Sequence, residues 1–408
     1  MPRTQYGVSP WVDAFPKTRR PNYPRFRGTE SYSAVIVGGG LTGCLTAYAF
    51  AAAGVKVALL EADRLGLQGA GRGPGVLHGE PAASYRDVEA RHGRKAARGL
   101  FESSRRAVLD LAAAARRLGV KSVETHDALR VLASFNAEEK LLIKDAALRR
   151  DAGIDAVMVK AAVATRESGV ESARGAMRLR DWGQCDPYEL LVAFAAGASE
   201  RGAMIFERSR VKRIKTLRHN VEVHAANGVL QADTVIICTG EPTELYRSLK
   251  RHVSVQERYV VRTDRLSATV RRQIAARARL ITDTEAPAHV IRWTADGRLV
   301  IAGAEGARKP LRIKRHTLVQ RTGQLMYELL RTYPPISGVV PTHGWDLPIA
   351  TSADGVMYAG PHRNYPQHLF AWATRHDPAQ AFLASRILVR HYLGQAERED
   401  AFFAFTRG

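Results

Sequence analysis

Cysteine is scarce in this 408-residue chain: Cys44, Cys185 and Cys238 stand apart, with no C-x-x-C pair among them. That spacing argues against a disulfide framework or a zinc site and fits a reducing compartment, with buried structural thiols as the expected role. Long apolar runs are missing too, and Arg19-Arg20 is followed by Pro-Asn-Tyr-Pro, so neither a membrane span nor an export signal is expected. A cytoplasmic location is the resulting expectation. Acidic residues are few, 40 Asp and Glu against 61 Lys and Arg, which leaves a formal charge of +21. The excess falls in pairs such as Arg105-Arg106, Arg116-Arg117 and Arg149-Arg150, spread thinly along the chain. This reads as a solvated basic surface, and no nucleic-acid partner is expected. No Ser-His-Asp, metal-ligand or P-loop constellation stands out, and no metal is expected.

Glycine, by contrast, is concentrated where it carries meaning. Residues 33–61 read SAVIVGGGLTGCLTAYAFAAAGVKVALLE. An apolar β-branched run over 34–37 ends on glycine, an Ala-rich helical segment over 41–53 closes on Gly54, and a second strand covers 55–60. Gly38, Gly40 and Gly43 therefore form G-x-G-x-x-G in a strand-turn-helix context, with an acid, Glu61, at the end of the second strand. Gly38 permits the sharp turn, Gly40 lets a pyrophosphate approach the backbone, and Gly43 lets helix and strand pack closely. The helix start offers unpaired N–H groups to the anion, and Glu61 can accept ribose hydroxyls. The motif predicts dinucleotide binding.

Along the chain, residues 1–32 are rich in Pro, Arg and aromatics and predict an extended arm pinned by Trp11, Phe15 and Tyr23. A second Gly-rich loop follows Glu61 (QGAGRGPGVLHG), and its shortage of side chains suggests backbone lying against a flat ligand. Residues 84–118 predict one long or once-broken helix capped by Ser84 and stopped at Gly119. A strand over 129–133 and a helix capped by Asn136 come next, then a helix started by Asp186-Pro187-Tyr188-Glu189. Short strands are expected near 203–207, 211–215 and 221–225. Residues 234–240 (TVIICTG) form a buried strand ending in Thr-Gly. Residues 257–310 alternate apolar and polar positions around a turn at Ala295-Asp296-Gly297, which predicts an antiparallel sheet. Helices are expected at 315–332 and 378–393.

Taken together, VIVGGGLTG, QGAGRGPGVLHG, CDPYELLVAFAAGASERGA with RVKRI, VIICTG, VIRWTADGRLVIAG and DGVMYAGPH resemble the D-amino-acid-oxidase and glycine/sarcosine-oxidase superfamily of FAD-dependent oxidoreductases, over roughly residues 33–408. The resemblance implies an α/β fold in which a Rossmann-type FAD-binding domain (33–83, 155–245 and 340–408) is interleaved with an α+β substrate domain on an antiparallel sheet (84–154 and 246–339). It implies FAD as cofactor, held by Gly38, Gly40, Leu41, Thr42 and Gly43 at the pyrophosphate and by Glu61 and Ala62 at the ribose. Val211 is placed at the adenine, and Gly71, Arg72, Gly73, Thr239, Gly240 and Gly360 along the rest of the cofactor. The implied activity is oxidation of a C–N bond in a small amine or amino acid by hydride transfer to flavin N5, with oxygen or another acceptor re-oxidising the flavin. A flavin monooxygenase, or a non-catalytic FAD-stabilised binding protein with a basic partner surface, is the alternative.

One segment departs from the family pattern. Where relatives carry a glycine-dense turn before the last helix, this chain reads Trp372-Ala373-Thr374-Arg375-His376-Asp377-Pro378-Ala379. Either Arg375 or His376 supplies the charge that glycine amides usually supply to the flavin pyrimidine edge, or the side chains crowd that edge and impair redox activity. Asp377 also has the makings of a helix cap. For catalysis, Arg292 on VIRW is the candidate for a substrate carboxylate, against an exposed strand arginine as the plain alternative. His78 is the candidate to face the flavin ring, with Tyr259 and His289 behind it.

Overall fold

The computed structural model describes residues 4–132, 136–285 and 287–407. Its secondary structure sorts into two sheets. The smaller has eight strands, with Tyr358–His362, Tyr365–Trp372, Gly228–Gly240, Gly28–Val37, Val57–Leu60 and Met204–Phe206 in that order across it. From Tyr365–Trp372 to Met204–Phe206 every pairing is parallel. A meander of Val211–Thr216 and Val221–Ala225 hangs from the outer half of Gly228–Gly240. Strands that are apolar on both faces need cover on both, and they have it. Leu45 and Phe50 of the helix Leu41–Ala52, Leu190 and Phe194 of Pro187–Glu200, and Ile387 and Leu388 of Pro378–Tyr392 bury Ile36, Leu59 and Ile236. Each such side chain contributes on the order of 1.5–3 kcal/mol. Tyr246, Leu249, Phe370 and Trp372 fill the other side.

The larger sheet has ten strands and is mixed. Ser254–Thr263, Leu299–Ala307 and Val290–Trp293 form the expected antiparallel ladder, with Pro341–Thr351 paired on the far side of Ser254–Thr263. Leu280–Asp283 pairs parallel with Glu124–Leu132, which leads to Gly175–Gln184. The helix Leu311–Thr332 covers the outer face through Leu318, Leu325 and Leu329. The inner face, with Val260, Val300, Ala302, Trp345 and Leu347, meets Trp11, Phe15 and Tyr188.

Several expectations change. The strands Val76–Leu77, Val157–Lys160, Gly175–Gln184 and Pro341–Thr351 belong to the larger sheet, although their residues were placed in FAD-binding segments. Hydrogen bonding across the chain, not position along it, assigns a strand to its sheet. The helix after Ser84 is once-broken, as one of the two expected forms, at Gly93 into Tyr85–His92 and Arg94–Arg117. The arm is more than extended chain: Gln5–Tyr6 is a strand beside His343 and Gly344, and Pro10–Ala14 is a short helix with Pro at its first position. Residue 133 and the cap expected from the Asn136 side chain lie outside what is described. Among the described residues no helix is long and apolar enough to cross a membrane.

Candidate functional site

The three glycines of the first turn have three different environments. Gly38 sits at φ +110°, and a Cβ there would come 2.7 Å from the Cys238 carbonyl oxygen. A Cβ on Gly43 would lie 1.8 Å from the Gly38 oxygen, so helix and strand are in backbone contact. A Cβ on Gly40 would meet nothing within 4 Å, which leaves a cradle that a side chain would fill. Leu41 and Thr42 form the buried first turn of the helix behind it, whose free N–H groups make an anion site. Glu61 accepts from Gly39 N at 2.7 Å through one carboxylate oxygen and from Asp63 N at 2.8 Å through the other. Burial pushes its carboxyl up, against those backbone donors. Ala62 lies between them. Ser209 N donates to the Glu61 carbonyl, so the chain reaches Val211 directly from this corner. Gly240, at φ +77°, is also open, and Thr239 Oγ1 accepts from Trp372 Nε1 at 3.3 Å.

The second loop departs from expectation. Its glycines were read as room for a flat ligand, but Gly71 meets the Gly66 oxygen (2.3 Å from a Cβ) and Gly75 the Cys185 oxygen (2.3 Å), so both serve the protein's own backbone. The loop's carbonyls are spoken for as well. Arg72 O accepts from Trp345 Nε1 at 2.7 Å, Gly73 O from Trp11 Nε1 at 2.9 Å, and Gly75 O from Arg292 Nη1 at 2.8 Å. The Arg72 side chain donates to Gly7 O at 3.0 Å. Gly360, at φ +128°, lies under His391 of the last helix, so its small size serves that packing.

The segment without glycine keeps a glycine-like backbone. Ala373, Arg375 and His376 all lie in the left-handed region, at φ +61°, +53° and +57°. Each stores strain of about 1–2 kcal/mol. His376 bonds the Pro348 carbonyl and lies against Gly69, and burial pushes it down to about 4. Its Nε2 is committed to the Pro348 carbonyl. Arg375 remains: burial lowers it to about 10, and its Nη2 lies 3.6 Å from Glu305, which Arg258 also binds. Asp377 caps the last helix by accepting from Ala379 N at 2.9 Å, and its other oxygen takes His78 Nδ1 at 3.0 Å. Gln380 turns away to Ser104, so the cap is single.

Arg292 is not an exposed strand residue. It is 4% exposed; Nη1 donates to the carbonyls of Gly75 (2.8 Å) and Cys185 (2.9 Å), and the Trp11 ring covers the guanidinium at 4.5 Å. Burial lowers it to about 10, against Cys185 and the nearby Asp186 and Glu124 carboxylates, which raise it; among the described residues none of these carboxylates is within ion-pair distance. His78 packs edge-on to Trp182, while Tyr259 and His289 belong to the outer face, the latter bonded to Asp283 at 2.8 Å. The site thus gathers Arg292, the second Gly-rich loop, Trp11 and Trp345, with His78 and Asp377 as a nearby pair. Trp345 went unread in the sequence. Trp11 was read only as an anchor, because nothing local links it to residue 292.

Comparison with known proteins bears on the family and the fold. A family model described as FAD dependent oxidoreductase, DAO, matches residues 33–381. Gamma-glutamylputrescine oxidoreductase of Escherichia coli is 25% identical over 376 residues, 90% of this chain and 85% of that protein. Among solved structures, glycine oxidase from Geobacillus kaustophilus superposes with a TM-score of 0.76 at 18% identity, covering 93% of this chain and 99% of that one. L-Amino acid deaminase from Proteus myxofaciens, in complex with anthranilate, gives 0.78 at 15% identity, covering 100% and 99%.

Proposed function

The chain belongs to the DAO family of FAD-dependent oxidoreductases, its cofactor is FAD, and on that premise we propose that it oxidises a C–N bond of a small amine or amino acid. The observation that carries this reading is Arg292, a desolvated cation beside the second Gly-rich loop whose hydrogen-bond partners among the described residues are carbonyls, with no carboxylate in ion-pair contact. A planar guanidinium in that state suits a substrate carboxylate. Anthranilate, bound by the deaminase of the same fold, is itself such a carboxylate.

The ADP end of the cofactor fits the residues present: the open cradle at Gly40, the helix start at Leu41 and Thr42, and the Glu61 carboxylate. We assign Gly38 and Gly43 to shaping that turn, Val211 to the adenine side, and Thr239, Gly240, Gly71, Arg72 and Gly73 to the path toward the ring. When bound, FAD supplies the acceptor for two electrons, with the substrate hydride passing to N5 and oxygen or another acceptor taking the electrons onward. The protein's own part is to orient the substrate through Arg292 and to hold a proton between His78 Nδ1 and Asp377, which leaves Nε2 as the acceptor of the ring. A cytoplasmic location is proposed from the three free, buried thiols.

Anaerobic mixing of the flavin-loaded protein with a panel of amines and amino acids tests the reading. Bleaching of the flavin by a panel member is expected. Flavin that dithionite reduces but no panel member does would overturn it, and bleaching by NADPH alone would assign the protein to the monooxygenases.

A further inference from the structure

The turn between the strands Leu280–Asp283 and Val290–Trp293 brings three metal-ligating side chains to one point on the outer face of the larger sheet. Asp283, Glu285 and His289 each offer one ligand atom, and these atoms all lie within 4.8 Å of one another. His289 Nδ1 is 2.8 Å from Asp283 Oδ2 and 3.8 Å from Glu285 Oε2. On an ion with bonds of about 2.0–2.2 Å, neighbouring ligand atoms stand roughly 3–3.4 Å apart. The two separations bracket that range, so small side-chain rotations complete the set.

The imidazole is held in place for this. His289 is 8% exposed, and its other edge lies against backbone: a Cβ on Gly303 would come 2.4 Å from Cδ2 and 3.2 Å from Nε2. Asp283 is fixed through its second oxygen, Oδ1, which accepts from Glu285 N at 3.2 Å and from His289 N at 2.9 Å and leaves Oδ2 for the shared point. The turn is also tied down from outside, where Thr284 Oγ1 donates to Glu138 at 2.8 Å.

A cavity of about 340 Å³ adjoins these three side chains, lined further by Ile281, Ile291 and Ile301 and by Glu328 and Arg331 of the helix Leu311–Thr332. Its charge runs against that of the molecule. The chain carries +21, yet among the described lining residues there are three carboxylates and one arginine. Arg331 is bound to Glu328 at 3.1 Å, so the helix cancels its own charge and His289 alone is left to face Asp283 and Glu285. The C-terminal turn of that helix adds the partial negative charge of its carbonyls. A cation is what this cavity lacks.

We propose that Asp283, Glu285 and His289 bind a divalent transition-metal ion, Zn²⁺ by preference, with its remaining coordination positions open to the cavity. An imidazole ligand favours Zn²⁺ and its neighbours, whereas a set of oxygens alone would favour Mg²⁺ or Ca²⁺. Ile291 and Arg292 are successive residues of one strand and face opposite ways, Ile291 to the outer core and Arg292 to Trp11. The ion therefore sits across the sheet from Arg292 and clasps the turn rather than taking part in flavin reduction. The site stands independently of the substrate reading above.

The test uses the flavin-loaded full chain, dialysed against EDTA and titrated with zinc chloride in a calorimeter. One saturating Zn²⁺ per chain is expected, together with a raised melting temperature. Glu285→Gln, at the surface end of the turn, should keep the fold and weaken Zn²⁺ at least about tenfold, the loss that even a supporting residue of a metal site gives. His289→Gln should weaken it about 100-fold or more, with circular dichroism to check folding. His316→Gln removes an exposed histidine of the helix Leu311–Thr332 and should leave the affinity unchanged. Absence of saturable binding would overturn the site, as would displacement of Zn²⁺ by equal Ca²⁺. Binding that Glu285→Gln or His289→Gln leaves intact would mark an adventitious surface ion only and overturn it equally. Bleaching by the amine panel should not depend on Zn²⁺; a dependence would overturn the clasp.

Discussion

Arg375 allows backbone strain and side-chain charge to be measured apart. At φ +53° a side chain costs roughly 1–2 kcal/mol, while glycine loses about 0.5–1 kcal/mol more conformational freedom on folding than alanine. Arg375→Gly should then be more stable than Arg375→Ala by the difference, about 0.5–1 kcal/mol, since both remove the same guanidinium. The ion pair adds little to either comparison. Arg375 is 3.6 Å from Glu305 with 30% of its side chain exposed, so that pair contributes under about 1 kcal/mol, and Glu305 keeps Arg258 in both variants. Charge is read separately, through the flavin. If the guanidinium stabilises the reduced ring, both variants lose a charge-assisted contact of about 1.5–3 kcal/mol. The potential then falls by about 30–60 mV at roughly 30 mV per 1.4 kcal/mol. Urea unfolding of the three proteins measures the first quantity, and reduction against a reference dye the second. Equal stability of the glycine and alanine variants would refute the strain argument. An unchanged potential in both would refute the charge argument.

Three further outcomes are expected. Gly40→Val should fold, as circular dichroism can check, yet purify without FAD, because the new side chain occupies the open cradle; a yellow variant would refute that placement. Glu80 is buried between Arg130 and Arg149, and Glu80→Gln should cost about 3–5 kcal/mol in urea melts by removing the carboxylate of Arg130 and leaving Arg149 with Asp145 alone. Burial pushes the Glu80 carboxyl up, but the two arginines outweigh it and hold the group near 2. Because the folded value is depressed, its contribution is complete above the ordinary value near 4.5 and is lost as pH falls toward 2, a slope the Gln variant should lack. Asp377→Ala should cost about 1 kcal/mol through the lost cap on the final helix, while Asp377→Asn retains most of it, and paired thermal melts separate the two.

The cofactor turn was legible because everything that defines it lies within residues 33–61: strand, turn, helix and acid are neighbours in sequence and remain so in space. The larger sheet was less so. Gly175–Gln184 touches Glu124–Leu132 on one side and Val157–Lys160 on the other, and only those pairings reveal which sheet it joins. The same holds for Arg292, whose cover comes from the opposite end of the chain. At 373–376 the residue types pointed away from a glycine turn, yet the backbone keeps its left-handed path. Residue identity reports the cost of a conformation, and surrounding contacts decide whether it is adopted. The cap at Asp377 was readable because capping is local, whereas its bond to His78 was not.

The N-terminal segment also sets an order of events during synthesis. Residues 5 and 6 are made more than 300 residues before the strand that receives them, Pro341–Thr351. A nascent chain therefore carries Gln5 and Tyr6 without their partner strand until His343 and Gly344 have been made. A product truncated before residue 341 would still contain the whole Gly38–Glu61 unit but would have no edge on which to lay its own N-terminus.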